Sequence, residues 1–135
     1  MMKRFTILML LLSSTNVFAE WTWVGISPDG EITAYADLKT IRKNGNKVKM
    51  WSFFDHKTIK IFSGDNTKYL SSRNLNEFDC KNQTLTNITF TWFSENMLNG
   101  QIVYDDEVSN THPVDEIPPD SMSYGLFKIA CGKRK

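Results

Sequence analysis

The sequence Pro118–Cys131, PPDSMSYGLFKIAC, decides the fold because it is the one stretch patterned as a helix that packs on a sheet. Two prolines end the preceding segment, and Asp120 or Ser121 can accept a hydrogen bond from the free amides of a first helical turn. Apolar side chains then recur at helical spacing and form one stripe, made of Met122, Leu126, Ile129 and Ala130. The stretch therefore predicts a short C-terminal helix laid across a β-sheet.

The two cysteines suggest how this helix is held. Cys131 ends the helix, and the only other cysteine, Cys80, lies far upstream among strand-like segments. Two cysteines of an exported chain usually pair, and a bridge closing a loop of about 50 residues contributes roughly 4 kcal/mol by chain entropy. A redox or metal site is the alternative, but neither cysteine lies in a Cys-x-x-Cys motif or near a histidine. We predict a structural Cys80–Cys131 disulfide.

Residues 1–19 have the pattern of a secretory signal peptide. A basic start at Lys3 and Arg4 precedes the apolar run Phe5–Leu12, and small residues lead to Ala19. A membrane anchor is the alternative, but it needs about 20 apolar residues, and no second apolar segment follows. We predict export with cleavage after Ala19, which leaves residues 20–135 as one domain without a lipid anchor.

The charge balance argues against a nucleic-acid binder. The full chain has 16 basic and 15 acidic residues, and removal of Lys3 and Arg4 with the signal leaves 14 against 15. A net charge near −1 is also atypical of a basic membrane coat. We therefore expect neither nucleic acid nor a membrane surface as the partner, and no transmembrane segment after signal cleavage.

Short strand-like segments separated by turns make up the rest of the chain. They are, in order, Glu20–Gly25, Glu31–Asp37, Lys47–Asp55, Thr58–Phe62, Lys68–Asn76, Gln83–Phe93 and Gln101–Tyr104. We interpret Lys68–Asn76 as a strand near an edge because it is polar. The series predicts an α+β fold: an antiparallel sheet of about six strands, with the C-terminal helix packed on one face and one disulfide.

Two strands carry large apolar side chains on both faces. In Lys47–Asp55, alternation places Val48, Met50 and Phe54 on one face and Trp51 and Phe53 on the other. In Gln83–Phe93 it places Ile88, Phe90 and Trp92 on one face and Leu85, Asn87, Thr89, Thr91 and Phe93 on the other. Because one helix covers only one face, the second face must pack on loops, a second copy of the chain or a partner.

The sequence assembles no active site. The two histidines, His56 and His112, are isolated, and the acidic run Asp105–Glu107 lacks the spacing of a calcium loop. No nucleophile elbow and no glycine-rich loop before a helix is present. We therefore expect a non-enzymatic protein without a metal or another cofactor.

Several short motifs, in a fixed order, resemble a known family. They are Trp23-Val24, Tyr35-Ala36-Asp37, Thr40-Ile41, Val48-Lys49-Met50-Trp51, Tyr69-Leu70-Ser71-Ser72, Phe78-Asp79-Cys80, Ile117-Pro118-Pro119-Asp120-Ser121 and Cys131. The set resembles the surface-adhesin protein E-like domain of Gram-negative bacteria and spans residues 20–135. The resemblance implies a curved antiparallel sheet, a C-terminal helix and a bridge between Cys80 and Cys131. It also implies cell adhesion, with binding of host proteins such as vitronectin and laminin, and a homodimer.

Two departures from the family pattern bear on function. A lipid anchor at the mature N-terminus is missing, and the loop before Pro118 carries His112-Pro113-Val114 where a tryptophan is expected. The chain therefore has two candidate locations, the periplasm and the cell surface or medium. The first hypothesis is an exported module that binds host matrix or serum proteins. The alternative is a periplasmic structural or accessory domain that contacts another envelope protein.

A contact surface can be suggested from residue types alone. Cationic and amphipathic aromatic side chains near a sheet edge commonly serve protein recognition. On this basis the candidate partner-binding residues are Lys68, Tyr69, Arg73 and Lys81.

Overall fold

The computed structural model describes residues 20–107 and 113–132, which form an antiparallel sheet and one α-helix. The strands are β1 Thr22–Ile26, β2 Ile32–Asn44, β3 Lys47–Ile61, β4 Lys68–Asp79, β5 Thr84–Phe93, β6 Ile102–Glu107 and β7 Val114–Glu116. A 3-10 turn, Asn96–Leu98, follows β5, and the helix α1 is Met122–Cys131. The predicted signal peptide and His112 lie outside the described residues.

Each strand from β1 to β6 pairs with the next in an antiparallel meander, and β7 pairs with β5. Tight turns make this order possible. Between β2 and β3 the loop is two residues long, and Gly45 there has a φ of 62°, a conformation that glycine adopts without strain. The α+β prediction of about six strands and one helix is confirmed, with β7 as a short additional strand.

The helix covers one face of the sheet, which we call the helix face. Its apolar stripe packs on β1, β2, β3 and β4. The core there is fully buried and consists of Ala36, Val48, Met50, Phe78, Ile117, Leu126 and Ala130. The alternation predicted for β3 is confirmed, because Val48 and Met50 enter this core and Phe54 packs against it.

Both ends of the helix are fixed as the sequence predicts. At the start, the Ser121 hydroxyl accepts a hydrogen bond from the Tyr124 amide at 3.1 Å, which caps the first turn. At the end, Cys131 is bonded to Cys80, with Cα atoms 5.7 Å apart. The predicted disulfide is confirmed, and it ties the last residue of α1 to the residue that follows β4.

Two details of the sheet differ from the sequence-based interpretation. The segment Lys68–Asn76 is not an edge strand: β4 lies between β3 and β5, and it is paired with β3 from Lys68 and with β5 from Ser71. The polar sequence of this segment suggested an exposed strand. In the structure, however, β4 buries hydroxyl and amide side chains, among them Ser71 and Asn74.

The second difference is a β-bulge in β5. The pairing of β4 with β5 shifts by one residue between Leu75 and Asn76, so Ile88 is left without a partner. Because a one-residue shift moves side chains to the opposite face, Leu85 packs against the helix-face core. The single alternation predicted for Gln83–Phe93 is therefore wrong for its first half.

Candidate functional site

The face of the sheet opposite the helix, which we call the open face, carries the main candidate site. Strand pairing aligns Tyr35, Phe53, Arg73 and Thr91 in one row across β2, β3, β4 and β5. Trp51 lies two residues before Phe53 and therefore points to the same face. No α-helix of the described residues packs on this face.

Two local elements cover the open face at its ends. Trp21 packs edge-on against Phe53, with ring centroids 4.8 Å apart. Tyr35 stacks on the same Phe53 ring, with centroids 4.5 Å apart. At the other end the 3-10 turn folds over β4, where the Ser71 hydroxyl donates to the Glu95 carbonyl and accepts from the Leu98 amide. Phe53 is thereby 1% exposed, and the part of the face around Trp51 stays open.

Two adjoining cavities on this open part form one depression, which we call the Trp51 groove. The first has a volume of about 310 Å³ and is lined by Trp21, Asp37, Thr40, Trp51 and Arg73. The second has a volume of about 300 Å³, shares Thr40 and Trp51 with the first, and adds Arg42, Lys49 and Leu75. The groove thus combines two tryptophan side chains with three cationic groups and one carboxylate.

A β-bulge in β2 shapes the rim of the groove. The pairing with β3 is interrupted between Asp37 and Arg42, and the side chain of Thr40 replaces the missing backbone partner. Its hydroxyl donates to the Asp37 carbonyl at 2.6 Å and accepts from the Trp51 amide at 3.0 Å. The Asp37 carboxylate in turn accepts from the Lys39 amide at 3.1 Å. The bulge therefore fixes the positions of Asp37 and Arg42 relative to Trp51.

Arg73 is held in the groove by aromatic rings. Its guanidinium carbon lies 5.4 Å from the centroid of Trp51 and 5.7 Å from that of Phe93, within the range of cation–π contacts. Its Nε is buried and has no hydrogen-bond partner among the described residues. The aromatic contacts therefore fix the position of the guanidinium, and no ion pair among the described residues neutralises its charge.

A second cluster, the aromatic row, lies on the helix face beside the helix. Tyr69 stacks on Trp92 with centroids 4.3 Å apart, and Tyr104 stacks on Phe90 at 5.5 Å. Phe62, which follows β3, packs on Trp92 at 5.4 Å and is 44% exposed. Partial burial in this row raises the pKa of the Tyr69 hydroxyl. Because the rings stack on one another, the aromatic row extends the apolar core toward β6.

The four residues predicted to bind a partner do not lie on one surface. Lys68 is the first residue of β4 and Lys81 follows its last residue, so the length of the strand separates them by roughly 36 Å. Tyr69 belongs to the aromatic row on the helix face, whereas Arg73 lies on the open face. Of the four, Arg73 is the residue that the structure brings together with other candidate contact residues, and the partner-binding roles of all four stay predictions.

The sequence reasoning missed the other members of the Trp51 groove. Alternation along β3 does place Lys49 with Trp51, but their proximity to Arg73 and Arg42 depends on the pairing of β3 with β4 and β2. The bulge that brings in Asp37 and Thr40 has no local signal beyond the short polar segment after Tyr35. Long-range register was therefore the missing information.

Among the described residues there is neither a group of metal ligands nor a helix that could span a membrane. Residues 20–107 and 113–132 contain no group of three or more histidine, cysteine or carboxylate side chains that could hold a metal ion. In the same ranges, no helix has the length and apolar character needed to cross a bilayer.

These features first define a class: a disulfide-bonded α+β domain with a long antiparallel sheet, one helix-covered face and one open, tryptophan-lined face. The sequence model of the family "Surface-adhesin protein E" matches residues 23–132. The chain belongs to the surface-adhesin protein E family, which confirms the resemblance found in its motifs.

Solved structures of Haemophilus influenzae protein E share this fold. Crystal form II of that protein superposes with a TM-score of 0.59 at 15% identity, over 81% of this chain and 86% of the other. Protein E from non-typeable Haemophilus influenzae gives a TM-score of 0.57 at 16% identity, over 87% and 78% of the two chains. Among curated proteins, none matches this chain. Because the identities are low, the structural likeness establishes the fold alone.

Proposed function

We propose that this chain is an exported, non-enzymatic adhesin that binds a protein partner through the Trp51 groove. The observation that carries the proposal is the open face itself, where Trp51 and Arg73 lie in contact, half-buried and uncovered by the helix. Tryptophan and arginine in such partly desolvated depressions supply much of the binding energy of protein interfaces. Membership of the surface-adhesin protein E family supports a role in adhesion.

A substitution pair tests the groove directly. Trp51→Ala removes the central side chain of the groove, whereas Trp92→Ala removes a comparably half-buried tryptophan from the neighbouring aromatic row on the opposite face. Binding of the purified variants to immobilised vitronectin and laminin is measured by surface plasmon resonance. We expect Trp51→Ala to weaken binding about 30-fold, as for an interface hot spot, and Trp92→Ala to leave it within about threefold.

Unfolding curves of both variants serve as the control, because each removes packing. Equal losses of binding in the two variants, in proportion to their lost stability, would contradict the proposal. Unchanged binding by a folded Trp51→Ala variant would move the contact surface away from the groove.

Location decides between a host protein and an envelope protein as the partner. Intact cells are treated with a protease, and the chain is followed by immunoblot beside a periplasmic marker. Loss of the band with survival of the marker would support display at the cell surface and a host matrix or serum protein as the partner. A protected band released by osmotic shock would instead support a periplasmic domain that contacts another envelope protein or a second copy of itself.

A further inference from the structure

We infer that the Trp51 groove recognises an acidic, apolar-containing polypeptide segment, whose carboxylates dock on Arg73, Arg42 and Lys49 around an apolar side chain held by Trp21 and Trp51. This inference rests on the proposed function above and names the chemistry of the partner. It follows from an imbalance between the cations and the carboxylates of the open face.

Among the described residues, the cations of the groove form no ion pair. Within the described part of the chain the ion pairs are Lys39 with Glu20 and Lys47 with Glu77, so none involves a basic side chain of the groove. Within the same residues, Arg42 donates from Nη1 to the backbone carbonyls of Lys39 and Ile41. These charges are therefore available to an external carboxylate.

Four described carboxylates of the same face, by contrast, each have a hydrogen-bond or ion-pair partner. Asp37 accepts from the Lys39 amide, and Asp105 accepts from the Thr91 hydroxyl at 3.0 Å. Asp55, at the far end of the face, accepts from the amide of Met97 at 2.8 Å and from the side chain of Asn96 at 3.1 Å. Glu77 is paired with Lys47 at 3.8 Å. The lining of the groove itself has three cations, Arg42, Lys49 and Arg73, against one carboxylate, Asp37, so its net charge is positive although the chain as a whole is nearly neutral.

Arg73 is the anchor because its guanidinium is both partly desolvated and positioned. The rings of Trp51 and Phe93 flank it, and its buried Nε–H donates to no group of the described residues. A carboxylate matches the planar fork of a guanidinium with two parallel hydrogen bonds.

The apolar part of the groove favours a polypeptide over a sulfated polysaccharide or nucleic acid. Trp21, Trp51 and Leu75 line the same two cavities as the cations and offer apolar area that an apolar side chain fills well. Asp37, 7% exposed, places a negative charge inside the first cavity, which repels a dense polyanion.

The test uses the disulfide-bonded chain and defined probes. The main probe is a seven-residue peptide, capped at both ends, with three glutamates around one phenylalanine and one leucine. Its glutamine counterpart, sodium acetate and a heparin-type sulfated oligosaccharide are the comparison probes. Binding is followed by NMR titration of the tryptophan indole N–H and arginine Nε–H signals, which report on Trp21, Trp51 and Arg73.

We expect the glutamate peptide to shift these three signals and to bind at least about tenfold more tightly than the glutamine peptide. Its affinity falls between about 50 mM and about 500 mM salt. Arg73→Gln weakens binding about tenfold, and Lys49→Gln, at an exposed position, about two- to fivefold. Lys128→Gln is the matched control, since it removes a cation that lies 5.1 Å from the Tyr124 ring on the helix, and it leaves the affinity unchanged.

Contrary results separate the two proposals. Equal binding of the glutamate and glutamine peptides at the groove would overturn the acidic partner and keep the groove as a protein-binding site. Tighter binding of the sulfated oligosaccharide, or of acetate alone, would replace the polypeptide by those ligands. No shift of the three signals at millimolar glutamate peptide would overturn this inference. If Trp51→Ala also left matrix-protein binding unchanged, the proposed function would fail with it.

Discussion

At the scale of single residues, His56 is a buried group whose protonation the fold disfavours. It is 8% exposed, its ring packs edge-on against Tyr69 at 5.6 Å, and its Nδ1 has no hydrogen-bond partner among the described residues. Burial lowers the pKa of the imidazole, and the charge of Lys60 lowers it further, while Asp55 partly opposes the shift. The neutral form is therefore favoured in the folded chain.

This lowered pKa makes stability fall in mild acid. Because the unfolded chain binds a proton at an ordinary pKa near 6.5 and the folded chain at a lower one, the unfolded state takes up more protons. The stabilisation is present above pH 6.5 and is lost as the pH falls through that value toward the lowered pKa. We expect the free energy of unfolding, measured in urea, to decrease from pH 7.5 to pH 5.

A substitution assigns that slope to the residue. His56→Phe keeps the ring contact with Tyr69 and removes the titration, so the decrease between pH 7.5 and pH 5 should disappear. Lys60→Gln removes one cause of the shift and should reduce the slope without abolishing it. An unchanged slope in His56→Phe would assign the pH dependence to another group.

At the scale of elements, the helix α1 contains a glycine that its geometry does not require. Gly125 lies in mid-helix, and a Cβ added there meets one atom, Cγ1 of Val24, at an ordinary contact distance of 3.5 Å. Gly132, just after the helix, is different. Its φ of 68° and ψ of 176° belong to a region that is populated essentially by glycine alone.

We therefore expect alanine substitutions at these two glycines to change the stability of the chain in opposite directions. Gly125→Ala should stabilise the chain by about 0.5–1 kcal/mol, because alanine is the better helix former and restricts the unfolded chain. Gly132→Ala should destabilise it by about 1–3 kcal/mol through backbone strain. Urea unfolding of both variants beside the parent chain measures the two changes, and a loss of stability in Gly125→Ala would mean that β1 cannot adjust to the added methyl group.

Elements of this fold were predictable where local pattern decides them. The Ser121 cap and the stripe ending at Ala130 predicted α1, and the alternation of Val48 and Met50 predicted the helix face of β3. The central position of β4 and the bulge at Ile88 depend on which strands pair and in which register, and a single segment does not record this. The Trp51 groove was missed for the same reason, since its residues meet only across three paired strands.

At the scale of the whole molecule, one covalent bond joins the helix to the sheet. The Cys80–Cys131 disulfide links the end of β4 to the end of α1, 51 residues apart in sequence. In the unfolded chain this bond closes a long loop and removes conformational freedom. The core between α1 and the helix face therefore depends on an oxidising environment.

Replacing both cysteines tests this dependence. Cys80→Ser combined with Cys131→Ser should lower the free energy of unfolding by about 4 kcal/mol, measured by urea unfolding followed through tryptophan fluorescence. A reducing agent should lower the stability of the parent chain by a similar amount and leave the double variant unaffected. Equal stability of the oxidised parent and the double variant would show that packing alone fixes the helix.

The meander order of the strands has a consequence for how the chain folds. From β1 to β6 each strand pairs with its sequence neighbour, so these contacts form between segments that are close along the chain. The helix is the exception, because Gly125 packs near Val24, which lies about 100 residues earlier in the sequence. Because closing such a long loop has a high entropic cost, this contact forms slowly. We therefore expect the helix to dock late in folding. Before the helix docks, the apolar helix face is exposed. The chain is therefore most prone to aggregate during this stage of folding.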